Sequence, residues 1–137
     1  MAKTKFFQKK VTVDGIKFDS KTEAEEYIRL KELERAGKIS NLKRQITFEI
    51  IPPLKKLVRK QLKTKVRMVE RIEEHSAKYT CDFQYEQDGK VVILEVKSRM
   101  TAKLADYILR RKLMKRILHD RNELLGEEKY IFKEIVK

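Results

Sequence analysis

The sequence predicts one mixed domain, α/β or α+β, with a mixed central sheet flanked by helices. Three observations carry this. Residues 79–97 alternate apolar and polar side chains on both sides of Asp88-Gly89, the strongest short-range signal of a β-hairpin. Residues 19–36 and 101–118 repeat apolar residues at helical spacing. Residues 45–51 and 130–136 read as two further strands. The order is helix, strand, hairpin, helix, strand, which gives a sheet with helices packed against it.

In chain order, residues 1–10 form a basic arm, and residues 11–18 suggest a small hairpin around Asp14-Gly15. The first helix starts behind Ser20 as N-cap, with Glu23 three residues on to complete a capping box and Gly37 as the stop. Ala24, Tyr27, Leu30 and Leu33 form its apolar arc; Glu23 falls at the centre of that arc and Glu26 near its edge. The strand at 45–51 ends at Pro52-Pro53. Gln45, at the start of that strand, can face a site on the sheet, but a strand-end glutamine is more often solvated. The following stretch, 54–71, is a basic insertion. It carries Lys55, Lys56, Arg59, Lys60, Lys63, Lys65, Arg67 and Arg71 against the single acid Glu70. Leu54, Val58, Leu62, Val66 and Val69 have helical spacing, while Val66, Met68 and Ile72 equally suit a strand, so its conformation stays open. Either form presents cations to phosphate. Thr101 is placed to cap the second helix. Ala105, Ile108, Leu109, Leu113 and Ile117 mark its buried face, and Lys103, Arg110, Arg111, Lys115 and Arg116 decorate it. Gly126 breaks the chain before the last strand.

The 137 residues suffice for one modest core, and 40% charged residues give a densely charged surface. The net charge of +13 argues for a polyanionic partner. No apolar run is long enough to span a bilayer, and the segment Met1 to Phe7 lacks the apolar core of a signal peptide. The expected compartment is the cytoplasm. Cys81 is the only cysteine, so no internal disulfide forms, and the alternation puts it on the apolar face as a small core residue. His75 and His119 stand alone, without the spacing of a zinc site.

The hairpin carries the chemistry. With Gln87 paired to Lys90, Tyr85 faces Val92, Phe83 faces Leu94 and Cys81 faces Val96, which makes one face apolar throughout. On the other face Asp82 stands opposite Glu95, and Thr80 opposite Lys97. Like charges directly across a strand pair destabilise a sheet unless a proton or cation is shared between them. Glu95 and Lys97, two apart, point the same way. Two hard oxygen donors and one ammonium thus converge, a set suited to Mg²⁺ or Mn²⁺. The plainer reading is a solvated face whose Lys97 neutralises the pair. Glu23 also has two readings: a capping-box glutamate bound to the Ser20 N–H, or a carboxylate aimed inward at the metal.

This order of elements, with Asp82 followed by Glu95-Val96-Lys97 across a hairpin, resembles the PD-(D/E)XK nuclease superfamily and its restriction-endonuclease-like αβββαβ core. The segment Phe18-Asp19-Ser20-Lys21-Thr22-Glu23-Ala24 is similar to the start of that superfamily's first core helix. From Gly15 to about Leu118 the chain resembles an uncharacterised phage family assigned to the superfamily. It is similar in organisation to phage junction-resolving endonuclease I. Cys81 stands where the superfamily motif often has proline. The resemblance implies a Mg²⁺- or Mn²⁺-dependent endonuclease acting on DNA in a bacterial or phage-infected cell. In it Asp82, Glu95 and the Val96 carbonyl hold the metal, Glu23 adds a further acidic ligand, and Lys97 serves catalysis. Lys55, Lys56, Arg59, Lys60, Lys63, Lys65, Arg67, Arg110, Arg111 and Lys115 are the candidates for DNA contact. Resolving a four-way junction takes two symmetric cuts, so that activity implies a homodimer. The rival is a non-catalytic basic nucleic-acid-binding module. It accounts for the charge but not for two opposed carboxylates on a protein that attracts phosphate.

Overall fold

The computed structural model describes residues 10–137, so all but Lys10 of the basic arm lies outside the described residues. Strands β1 (Val11–Val13) and β2 (Ile16–Phe18) form the small hairpin. Its turn is made by Asp14 and Gly15, both at positive φ, the left-handed pair that matches the twist of a hairpin. Helix α1 (Lys21–Arg35) follows, with the Ser20 hydroxyl accepting from the Glu23 N–H at 3.1 Å. This N-cap bond satisfies one of the orphan donors of the first turn.

The central sheet has four strands in the order β3 (Ser40–Ile51), β6 (Ala77–Gln87), β7 (Lys90–Lys97) and β8 (Tyr130–Val136). The first two pairings are antiparallel and the last is parallel, because helix α2 (Ala105–Leu125) carries the chain across from β7 to β8. With strands β4 (Leu54–Gln61) and β5 (Val66–Glu74) set aside, the order α1-β3-β6-β7-α2-β8 is the expected αβββαβ, an α+β fold consistent with a restriction-endonuclease-like core.

Two apolar clusters sandwich the sheet. Ala24, Tyr27 and Leu30 of α1 pack on Phe83, Tyr85, Val92, Leu94 and Val96. Tyr107, Met114 and Leu118 of α2 pack on Phe48, Ile50, Tyr79, Cys81 and Ile93. The expectation that Cys81 shares a face with Phe83 and Val96 is therefore corrected. Side-chain alternation reverses between Cys81 and Phe83, and β3 reverses with it. Leu42 joins the α1 side, while Ile46 and Phe48 join the α2 side. Between them Gln45 sits at φ 54°, a left-handed conformation that costs a non-glycine residue on the order of 1 kcal/mol.

Thr101 does not cap α2. Its N–H donates to the Ser98 hydroxyl in a separate 3₁₀ turn (Thr101–Lys103), and Leu104 occupies the N-cap position. The helix also runs to Leu125 rather than 118, and Gly126 ends it at φ 74°. There its N–H meets the Asn122 carbonyl at 2.9 Å. The buried line of α2 is Tyr107, Met114 and Leu118, about one residue round from the expected stripe. Ala105 and Leu109 are exposed, and Ile108, Leu113 and Ile117 are half-buried.

The insertion is neither helix nor part of the main sheet. Strands β4 (Leu54–Gln61) and β5 (Val66–Glu74) form a separate antiparallel hairpin, closed by a turn in which the Leu62 N–H donates to the Lys65 carbonyl. Pro52-Pro53 ends β3 just before it. β-Branched Val58, Val66, Val69 and Ile72 favour the extended form, and Lys63-Thr64 supplies a polar tip. Of this arm only Val58, Leu62 and Val69 are even half-buried.

Candidate active site

The register of β6 and β7 is the one the sequence led us to expect, from Gln87 opposite Lys90 to Phe83 opposite Leu94. Beyond that pair, side chains take over from the ladder. The Asp82 N–H donates to Glu95 Oε1 at 2.8 Å, and the Val96 N–H donates to Asp82 Oδ2 at 2.8 Å. Each acid is thus fixed by backbone across the strand pair. Lys97 Nζ lies 3.0 Å from Glu95 Oε2 and 3.7 Å from Asp82 Oδ2, bridging the two carboxylates. Glu95 has no exposed surface at all, and Asp82 is buried. The β6–β7 ladder ends at Phe83 and Leu94, short of the expected Thr80–Lys97 pair; on its other side Thr80 pairs with Thr47, and the two hydroxyls lie 2.9 Å apart.

A cleft of about 550 Å³ opens in front of this cluster, lined by Asp82, Val96 and Lys97 on one side and by Ser20, Glu23 and Gln45 on another. The start of α1 brings Glu23 here. Its carboxylate does not turn back to the cap but accepts from Gln45 Nε2 at 3.2 Å, with Arg44 Nη2 at 3.9 Å. Among the described residues no three His, Cys, Asp or Glu side chains close into a metal-binding group. Asp82, Glu95 and Lys97 are brought together as expected. Glu23 lines the same cleft but does not join the pair as a third ligand.

Sequence reasoning missed three residues. Arg44 stacks its guanidinium 4.5 Å from the centre of the Phe18 ring and approaches Glu23. The reversal at Gln45 places Arg44 and Gln45 itself beside Glu23, and no period in the sequence signals it. Tyr107 lies under Lys97, with the ammonium 5.7 Å from its ring, and its hydroxyl donates to Glu134. Tyr79 buries its hydroxyl next to Glu95, whose charge adds to burial in raising the phenol's pKa. Of the candidate DNA contacts, Arg111 is drawn 3.6 Å from Glu134 and Lys115 lies 5.9 Å from the Phe132 ring, while Arg110 is exposed. Lys55, Lys56, Arg59, Lys60, Lys63, Lys65 and Arg67 all sit on the arm, and none lines the cleft.

The sequence model of a family described as "Protein of unknown function (DUF1064)" matches residues 3–125. The chain belongs to the DUF1064 family. The matched span takes in α1, the arm and both carboxylate-bearing strands. No curated protein and no solved structure matches.

The electrostatics of this DUF1064 site are those of acids held in a poorly solvated place. Burial raises the pKa of Asp82, and Lys97 and the Val96 N–H offset only part of the rise. Burial and the nearby charge of Asp82 raise that of Glu95. Glu23 is pushed up to about 7, first by burial and then by Asp82, against Arg44 and Lys97. Burial works to lower the pKa of Lys97, but Glu95 and Asp82 together outweigh it and the value is raised. Lys97 is therefore an ammonium and a donor, not a base. Burial holds the Cys81 thiol far above its ordinary value, which excludes a thiolate nucleophile.

The cluster fits a divalent cation. Glu95 Oε2 and the Tyr79 hydroxyl are buried with no hydrogen-bond partner in good geometry among the described residues, although Lys97 supplies charge to the former. Two like charges held together by backbone call for more positive charge than one ammonium. The Asp82 and Glu95 carboxylates are oxygen donors of the kind Mg²⁺ and Mn²⁺ prefer, and Val96 lines the cleft beside them.

Proposed function

We propose that this chain is a Mg²⁺- or Mn²⁺-dependent endodeoxyribonuclease. The observation that carries the reading is the Asp82–Glu95–Lys97 cluster, which faces a cleft on a protein of net charge +13. Carboxylates beside a phosphate-binding surface weaken binding unless a cation intervenes, so their presence argues for chemistry at phosphate rather than for binding alone.

The ion would be held by Asp82, Glu95 and the Val96 carbonyl, where it supplies Lewis acidity to the phosphate and lowers the pKa of water. Lys97, kept protonated by its two acids, donates to a phosphate oxygen and stabilises the charge that develops there. Glu23, held by Gln45 and Arg44, orients water in the cleft. The cationic surface positions the backbone. Branched DNA is the favoured substrate, cut by a homodimer in the cytoplasm of a bacterium or phage-infected cell. Leu57, Met68 and Ile72, exposed on the arm, are available to a second copy. A non-catalytic binding module shares the basic β4–β5 hairpin but leaves the buried acids without a role.

Incubation with labelled linear, flapped and four-way-junction DNA, in Mg²⁺ and in EDTA, tests the reading. Cleavage in Mg²⁺ alone supports it. Binding without cleavage in either Mg²⁺ or Mn²⁺ returns the chain to the binding-module class.

A further inference from the structure

The register of the arm sorts its cations by face. Lys56, Val58 and Lys60 stand opposite Arg71, Val69 and Arg67. On the other face Lys55, Leu57, Arg59 and Gln61 stand opposite Ile72, Glu70, Met68 and Val66. Over the regular register from Lys55 to Gln61 the first face carries four cations and no acid around two half-buried valines; Glu74, opposite Leu54, lies beyond the register shift at its base. The second carries two cations, one acid and four large apolar residues.

The first face is the unusual one. Lys56 lies directly across from Arg71, and Lys60 directly across from Arg67. Side chains so placed have Cβ atoms about 5 Å apart, and like charges there oppose strand pairing. A two-stranded hairpin is marginal in water even without that penalty. This one makes few contacts with the rest of the fold. Two repelling pairs on such a hairpin are favourable only when a dense array of anions lies against them.

We infer that the Lys56–Lys60–Arg67–Arg71 face of the arm is a β-ribbon that docks on the phosphates of B-form duplex DNA, apart from the cleft. A paired stretch of eight residues spans about 26 Å. The major groove of B-form DNA admits a two-stranded ribbon, whereas that of A-form RNA is too deep and narrow. Residues 54–74 contain no Phe, Tyr or Trp, so the ribbon has no platform for stacking unpaired bases. Its donors are lysine and arginine, and the contact proposed for them is charge pairing with phosphate, which is independent of sequence. The inference deepens the nuclease reading by naming the form of its substrate, and rests on it only for the choice of DNA.

The test measures binding to duplex DNA, single-stranded DNA and duplex RNA of equal length, in EDTA, across a salt series. Wild-type protein should favour duplex DNA. The variant K56Q/K60Q/R67Q/R71Q should lose affinity on the order of 100-fold at low salt. Its slope of log affinity against log salt should flatten by up to about 3.6, from four contacts. R67Q/R71Q should give about half that change. K55Q/R59Q, on the other face, should shift affinity by less than about threefold. None of the three should melt below wild type, because these side chains are exposed and the fourfold variant relieves both repelling pairs. An unchanged slope in the fourfold variant overturns the proposal. So does an equal loss in K55Q/R59Q, or binding to single strands or duplex RNA as tight as to duplex DNA. A protein that binds as described yet cleaves nothing in Mg²⁺ keeps the ribbon and loses the nuclease; one that cleaves with an unchanged slope does the reverse.

Discussion

The backbone N–H of Asp82 donates to the carboxylate of Glu95 at 2.8 Å, so one acid of the pair is anchored by the main chain of the other. That bond, with its counterpart from Val96 to Asp82, locks two like charges at a fixed separation inside the protein. The arrangement costs stability and is expected where function needs it. Glu95→Gln keeps an acceptor for the Asp82 N–H and removes one buried charge. In EDTA it should raise stability by about 1 kcal/mol, or roughly 3 °C in Tm. It should also abolish stabilisation by Mg²⁺. Thermal unfolding with and without Mg²⁺ checks both, and a lower Tm in EDTA would show that the native charge is stabilising.

The pH dependence follows from the same acids. Glu23 titrates near 7 in the folded protein against 4.5 for the unfolded chain, and Asp82 and Glu95 are raised as well. A folded state that holds its protons more tightly loses stability as pH rises. For Glu23 the penalty is absent below about pH 4.5 and complete above about 7. It is at most about 3 kcal/mol, less what cleft water screens. Lys97 adds nothing in this window, because its raised pKa acts only above the ordinary lysine value. In EDTA, Tm should therefore fall from pH 5 to pH 8 by more than in Glu23→Gln. Parallel curves for the two proteins would contradict the assignment.

Lys97 now neutralises the pair from 3.0 and 3.7 Å. Lys97→Ala leaves both acids without it and should cost on the order of 3 kcal/mol in EDTA. A divalent ion then has no ammonium to compete with. Its stabilisation, which grows as RT ln(1 + [L]/Kd), should exceed that of wild type at equal Mg²⁺ even though cleavage is lost. Titration of Tm with Mg²⁺ checks this. A variant that Mg²⁺ does not stabilise would place the ion elsewhere.

Much of this was legible in the sequence because it is periodic. The Asp88-Gly89 turn set the β6–β7 register, and Ser20 set the start of α1. What escaped was aperiodic. β3 reverses its facing at the left-handed Gln45 and β6 reverses between Cys81 and Phe83, which sets Cys81 apart from Phe83 and brings Arg44 to Glu23. No pattern of residue types encodes that. The insertion satisfied helix and strand periods equally, and only pairing between Val58 and Val69 decides it. The buried stripe of α2 was displaced because Tyr107 and Met114, not Leu109, face the sheet.

Glu23 separates cap from site. Its N–H, not its carboxylate, serves the Ser20 cap, so Glu23→Gln should leave α1 intact. If the carboxylate serves catalysis, cleavage should fall by about tenfold or more at pH 7.5. A wild-type rate would confine Glu23 to the helix start.

The proposed nuclease activity rests on Asp82 and Glu95 as the residues that would hold a divalent ion. The most direct measurement is the initial rate of cleavage of a labelled four-way junction in Mg²⁺ by wild-type protein and by Asp82→Ala, each matched for DNA binding in EDTA. Wild type should cleave in Mg²⁺ and not in EDTA, and the variant should lose about a thousandfold or more with binding retained. Equal rates for the two proteins, or no cleavage by wild type in Mg²⁺ or Mn²⁺, would contradict the proposal.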